Sequence, residues 1–152
     1  MNLEMRLGVV GVFQNDEGLV LVGERRREMN SWQFPQGGVD AGETADQAVN
    51  REMREELGCD KFEIVKKSEN MISYDFPTDL NSRIAKQFRG QSQYWYLLNF
   101  KDGDGPDLSK ADHEFRAFRW LSVESAVKSV IPWKREAYIK GLKILGLLNE
   151  ER

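Results

Sequence analysis

The 152-residue chain has little of several things that would assign it to a broad class. It holds one cysteine, Cys59, so it can form no internal disulfide and cannot complete a zinc site of the CxxC type. No apolar run approaches the ~18 residues of a membrane span, and Met1–Arg6 offers no signal-peptide core. Low-complexity tracts, internal repeats and linkers are missing. At 40% hydrophobic and 31% charged residues, disorder and collagen-like architecture are excluded. The expectation is a soluble cytoplasmic protein with one domain over residues 1–152. A chain of this length buries roughly 68–70% of its unfolded surface and needs no staples.

A general excess of positive charge is also lacking. The net charge is −3, with six Lys or Arg against twelve Asp or Glu in residues 1–60 and sixteen against thirteen in residues 61–152. Such a chain is a poor electrostatic sponge for nucleic acid, so phosphate binding must be local. Its acidic half looks built to hold cations.

Leu7–Phe13 and Val20–Val22 are apolar, β-forming runs separated by the turn signal Asn15-Asp16-Glu17-Gly18, which predicts a hairpin. Gln36-Gly37-Gly38 reads as too rich in glycine for a strand interior. From Thr44 to Leu57 there is no Gly or Pro, and Val49, Met53 and Leu57 fall at i, i+4 and i+8. That spacing predicts a helix, with Thr44 or a residue just before it as N-cap and Gly58 as the stop. Short strands are predicted at Phe62–Val65, Met71–Tyr74, Tyr94–Phe100 and Ala117–Leu121, with a loop at Gly103–Pro106. A last helix should run from about Lys134 to Leu148 and bury Tyr138, Leu142 and Leu145. Strands around a central helix, closed by another helix, indicate an α/β sandwich with a mixed sheet.

The predicted helix has a second face. Glu52, Glu55 and Glu56 lie at i, i+3 and i+4, so three carboxylates crowd one side. Like charges at those spacings destabilise a bare helix by a few tenths of a kcal/mol each. An oxygen-preferring divalent cation, Mg²⁺ or Mn²⁺, would offset this.

Gly37, Glu43, Arg51, Glu52, Glu55, Glu56 and Gly58 stand at the offsets of G-x5-E-x7-R-E-U-x-E-E-x-G-U, where U is aliphatic. This stretch, residues 37–59, resembles the Nudix box. All seven fixed letters match. With each residue type at roughly 6%, a chance match is on the order of 10⁻⁹ per start position. Cys59 occupies the last aliphatic slot, where a buried free cysteine serves as a small hydrophobe.

The resemblance implies a Nudix-type α/β/α sandwich with a loop–helix–loop, and Mg²⁺-dependent hydrolysis of a phosphoric anhydride, with Mn²⁺ as a possible substitute. It implies metal binding by Glu52, Glu55 and Glu56 together with a backbone carbonyl at Gln36 or Gly37. Gly37, Glu43 and Gly58 take structural roles in it. Glu43 and Arg51 correspond to the pair that braces the helix, and Arg51 with Glu55 joins the catalytic candidates.

Beyond the box, Ser31–Gly38, Gly90–Leu97 and Glu114–Trp120 are similar to the bacterial Nudix subfamily acting on RNA 5′-pyrophosphate ends and on dinucleoside polyphosphates. The likeness runs from about Val9 to Tyr138. It implies 5′-triphosphorylated RNA or nucleoside polyphosphates as partners, with no membrane and no DNA. The product would be a 5′-monophosphate end, the start of mRNA decay. A Nudix fold that only senses nucleotide or RNA is the non-enzymatic alternative, and its mark would be lost box glutamates. None is lost here.

Glu114 matches a loop glutamate used in the family as a metal ligand or general base. Arg25-Arg26-Arg27 is either a solvated basic edge or a phosphate contact, guanidinium matching phosphate in bidentate fashion. Trp133-Lys134-Arg135 either anchors the last helix or offers stacking beside two cations, which single-stranded RNA requires. Gln91 and Gln93 either cap a strand edge or contact the ligand. The lone histidine, His113, reads as polar surface. Arg25, Arg26, Gln93, Trp133 and Lys134 are therefore the substrate-binding candidates.

Overall fold

The computed structural model describes residues 3–27 and 30–149. Its elements run β1 (Glu4–Phe13), β2 (Val20–Arg25), β3 (Trp32–Gln33), β4 (Gln36–Gly38), α1 (Ala45–Leu57), β5 (Phe62–Lys67) and β6 (Ile72–Asp75). Then come α2 (Arg83–Gln87), β7 (Phe88–Phe100), β8 (Phe115–Leu121), α3 (Val123–Ser129), a 3-10 turn at Pro132–Lys134 and α4 (Arg135–Ile144).

β1 lies at the centre of a five-stranded sheet. It pairs antiparallel with β4 and parallel with β7, and β5 and β6 both pair with the far edge of β7. β3, β2 and β8 form a separate three-stranded antiparallel sheet. The alternation of side chains along a strand sorts the core into two halves. Val9, Phe13, Leu21, Tyr96 and Leu98 meet Val49, Met53 and Leu57 of α1. Val10, Val12, Val20, Val22 and Trp95 face the other way, onto Val123 and Ala126 of α3 and Tyr138 and Leu142 of α4. Sheets between two helical layers make an α/β/α sandwich.

The predicted hairpin is not formed. The Asn15–Gly18 turn is present, with Asn15 Oδ1 accepting from Glu17 N and Leu19 N, but only the bridge between Gln14 and Val20 joins its arms. The chain steps from one sheet to the other, because β1 already has neighbours on both edges. The glycine-rich segment is a strand after all, Val9 pairing with Gly37 and Gly8 with Gly38. β7 starts six residues before the predicted strand and so contains Gln91 and Gln93. α4 ends at Ile144, four residues short of the prediction, while Tyr138, Leu142 and Leu145 are buried as expected.

Helix α1 follows its local code. Thr44 and Gln47 form a reciprocal capping box, Thr44 Oγ1 accepting from Gln47 N and Gln47 Oε1 from Thr44 N. Gly58 closes the helix at φ 67°, a left-handed conformation that favours glycine. Carbonyls of the last turn find donors in a distant loop: Asp107 N donates to Leu57 O at 2.7 Å and Asp112 N to Glu55 O at 2.8 Å. Those bonds bring residues 107–114 to the carboxylate-bearing end of α1. No helix among the described residues is long and apolar enough to cross a membrane.

Candidate active site

Arg51 organises the acidic face of α1. Its Nε and Nη2 donate to the two oxygens of Glu43 at 2.8 and 3.0 Å, and Nη2 also donates to Gly38 O at 2.9 Å. This bidentate clamp holds the loop before the helix onto the helix. Glu43 Oε1 also accepts from Asp40 N, and the Arg51 guanidinium with that N–H draws the Glu43 carboxyl down to about 2. Arg51 Nη1 donates to Glu52 at 2.7 Å and lies 3.5 Å from Glu55. Gly37 packs against Glu52 so closely that a Cβ there would overlap the carboxyl group.

Glu56 turns inward and is 4% exposed. Its Oε1 accepts from Gln36 N at 2.9 Å. Burial pushes its pKa well above the carboxylate range, and the charges of Glu52 and Asp112 push the same way. Burial also raises Glu52, against the pull of Arg51. Two neighbouring carboxylates displaced upward in this way are stabilised in their charged form by a cation. Among the described residues no three Asp, Glu, His or Cys side chains converge into a ready-made cage. A hard cation that keeps several waters and takes one or two carboxylates plus phosphate oxygens suits such a donor set, which is the habit of Mg²⁺.

Glu114 comes from the far loop. Its Oε2 lies 2.9 Å from Arg25 Nη2, while Arg26 N donates to Glu114 O and Arg26 Nε to His113 O. Arg25, Arg26 and Glu114 thus line one cavity of about 400 Å³ with Arg27, Asp112 and His113. Glu55, by contrast, is exposed on the outer side of α1.

Gln93 is 2% exposed and lies in a chain of buried amides. Its Nε2 donates to Gln36 Oε1 at 2.8 Å, and Gln91 Nε2 donates to the Tyr74 hydroxyl at 2.8 Å. The chain runs from the backbone beside Glu56 toward an aromatic patch where Trp133 meets Tyr74 and Phe76 at ring separations of 5.7 and 6.1 Å. Trp133, Tyr74 and Lys140 line a cavity of about 260 Å³. Lys134 is 8% exposed, with Nζ 3.3 Å from Gln33 Oε1 and 5.3 Å from the centroid of its neighbour's ring, Trp133.

Sequence reasoning passed over Glu24 and Gln33, and took Gln36 only for its backbone carbonyl. Glu24 is 4% exposed; its Oε2 accepts from Asn30 N at 2.6 Å and its Oε1 from Arg116 Nε at 2.7 Å. It ties β2, the start of β3 and β8 together beside Arg25. A charged residue inside an apolar strand run was the available signal.

A bidentate Glu–Arg brace, a helix presenting carboxylates and a glycine strand pressed against them form the loop–helix–loop expected from residues 37–59. The chain belongs to the NUDIX domain family, which it matches over residues 4–140. It is similar to the RNA pyrophosphohydrolase of Helicobacter pylori strain P12, with 39% identity over 119 residues covering 78% of this chain and 76% of that protein. The RNA pyrophosphohydrolase of Rhodospirillum rubrum is 37% identical over 138 residues, 90% of this chain and 84% of its own. Among solved structures, the E. coli dihydroneopterin triphosphate pyrophosphohydrolase superposes with a TM-score of 0.66 at 21% identity, covering 92% of this chain and 97% of that one. That last likeness is one of fold.

Proposed function

We propose that this chain is an RNA 5′-pyrophosphohydrolase. It cleaves a 5′-triphosphate RNA end with water, leaving a 5′-monophosphate and releasing pyrophosphate. Support for the RNA substrate comes from the relatives of that name, which match most of the chain. The observation that carries the chemistry is the pairing of buried Glu56 with Glu52 beside the Gln36–Gly37 backbone.

In this reading Glu52, Glu55, Glu56 and Glu114 hold divalent ions, Mg²⁺ with Mn²⁺ as substitute. Bound there, the ions neutralise the polyphosphate and acidify a water. Arg51 keeps Glu52 oriented through the 2.7 Å contact and fixes the loop through Glu43. Gly37 and Gly58 supply the close approach and the helix stop. Arg25 and Arg26 bind phosphate oxygens, and Gln93 orients the Gln36 segment that borders Glu56. Trp133 stacks on a base, and Lys134 adds positive charge beneath it. Glu114 or Glu55 accepts the proton of the attacking water. One catalytic domain and a cytoplasmic location, where mRNA ends are exposed, belong to the same reading.

The deciding experiment compares turnover of triphosphorylated RNA with diadenosine tetraphosphate at matched concentrations, with and without Mg²⁺. RNA should be the better substrate, with pyrophosphate as its product, and omission of Mg²⁺ should abolish turnover. Faster cleavage of the free dinucleotide would reverse the assignment in favour of dinucleoside polyphosphates.

A further inference from the structure

The carboxylates that this reading gives to the cation already have a protein partner. Arg25 ends β2, and its Nη2 lies 2.9 Å from Glu114 Oε2. The next residue fastens the same loop, Arg26 N donating to Glu114 O at 3.0 Å and Arg26 Nε to His113 O at 3.1 Å. On the opposite side Asp112 N donates to Glu55 O at 2.8 Å. The loop is therefore strung between β2 and α1, and His113 spans the two anchors at φ 70°, a strained value for a residue other than glycine.

Such an arrangement invites exchange. The Arg25 and Glu114 side chains are 32% and 49% exposed, and an exposed ion pair is weak enough to be replaced. Carboxylate oxygen is a preferred ligand for a hard divalent cation. Guanidinium matches a phosphate group as well as it matches a carboxylate. When cation and polyphosphate arrive together, both charged partners of the pair find better ones.

We propose that Arg25 is a built-in counter-ion of the cation site: it neutralises Glu114 until a divalent cation takes that carboxylate, and the guanidinium then passes to the substrate's phosphates. The pair keeps the Glu114 loop against β2 before the cation binds. It also makes cation binding competitive with a protein charge. The inference rests on the reading that Glu56 and Glu114 are cation ligands.

Direct Mn²⁺ binding by the full chain without nucleotide, followed by the paramagnetic resonance of free Mn²⁺ at constant ionic strength, tests it. Arg25→Gln should bind Mn²⁺ about two- to fivefold more tightly than the wild type, the range of an exposed pair. That gain should vanish in the double variant Arg25→Gln with Glu114→Gln, and Arg25→Lys should fall between wild type and Arg25→Gln. Unchanged or weaker binding in Arg25→Gln, or a gain that survives in the double variant, would overturn the proposal. A second measurement needs no variant: Mg²⁺ should raise the phenylglyoxal reactivity of Arg25 relative to Arg54, whose carboxylate partner is Asp60. Equal reactivity with and without Mg²⁺ would also overturn it. Glu56→Gln separates the two readings. If wild type binds Mn²⁺ and Glu56→Gln does not, the metal site stands whatever Arg25 does; if wild type binds none, the metal reading fails and the counter-ion falls with it.

Discussion

Gly37 and the carboxyl group of Glu52 are packed so closely that a methyl group on residue 37 would overlap the carboxylate. Glu52 is held there by Arg51 at 2.7 Å and has little room to retreat. Gly37→Ala should therefore cost about 1–3 kcal/mol, as overpacking does. It should also weaken Mn²⁺ binding by displacing Glu52. Thermal melting and Mn²⁺ titration check both, and a variant matching the wild type in both would mean that Glu52 relaxes freely.

That contact explains part of what the residues left unread. A glycine pair argues against a strand when only its own propensity is considered, yet β4 forms on the β1 ladder, and glycine at 37 leaves the room that Glu52 occupies. Helix α1 was legible because its signals are local: Thr44, the apolar stripe and Gly58 all act within a few residues. The partner of β1 was not legible. Its ladders join residues about 28 and 85 positions away, and no turn signal encodes such pairing. The site divides in the same way. The Glu43–Arg51 brace and the carboxylate face follow from offsets along one segment, whereas the Arg25–Glu114 contact spans 89 residues and Gln93–Gln36 spans 57. Helix α3 was passed over although Ser122 caps it by accepting from Ser125 N. A seven-residue helix offers too short a stripe to stand out.

Glu56→Gln keeps an oxygen for the Gln36 N–H and removes one buried charge. Turnover should fall by about 100-fold or more, since metal-assisted charge stabilisation supplies several kcal/mol. Without metal the variant should melt at or above the wild-type temperature, because the repulsion from Glu52 is gone. Near-normal Mg²⁺-dependent turnover would sink the ligand assignment.

Trp133 and Lys134 are neighbours with different surroundings, the first half-buried against Tyr74 and Phe76 and the second buried at Gln33. Trp133→Ala should raise the Michaelis constant for RNA by the equivalent of about 1–3 kcal/mol, one stacked base, with kcat largely kept. Lys134→Ala should raise it too, and should lower the melting temperature more than Trp133→Ala does. Unchanged kinetics with a lower melting point in both variants would make the segment a helix anchor and nothing more.

Cys59 is 4% exposed, donates to Met53 O at 3.4 Å, and burial pushes its thiol up to about 12. An unfolded thiol ionises near 8.5. Between those values the folded chain binds the extra proton, so the contribution of this group to stability is whole below about pH 8.5 and falls as pH rises toward 12. Urea unfolding should show about 1 kcal/mol lost between pH 8 and pH 9.5, and Cys59→Ala should remove that slope. Iodoacetamide at pH 8 should label the unfolded chain and spare the folded one. Rapid labelling of the folded protein would contradict the burial.

Two carboxylates compete for the proton of the attacking water. Glu55 is exposed on α1, with its carboxylate 3.5 Å from Arg51. Glu114 sits on a loop braced from both sides, and its partner Arg25 is one that a polyphosphate can draw away. Loops on a rigid scaffold commonly carry the group that closes over the substrate. Glu114→Ala should lower kcat by about 100-fold or more, with folding and nucleotide binding nearly unchanged, and Glu55→Ala should have the smaller effect. Rates of both variants followed from about pH 6 to about pH 9 would separate the two. If Glu114→Ala kept full turnover across that range while Glu55→Ala lost it, the base would belong to the helix.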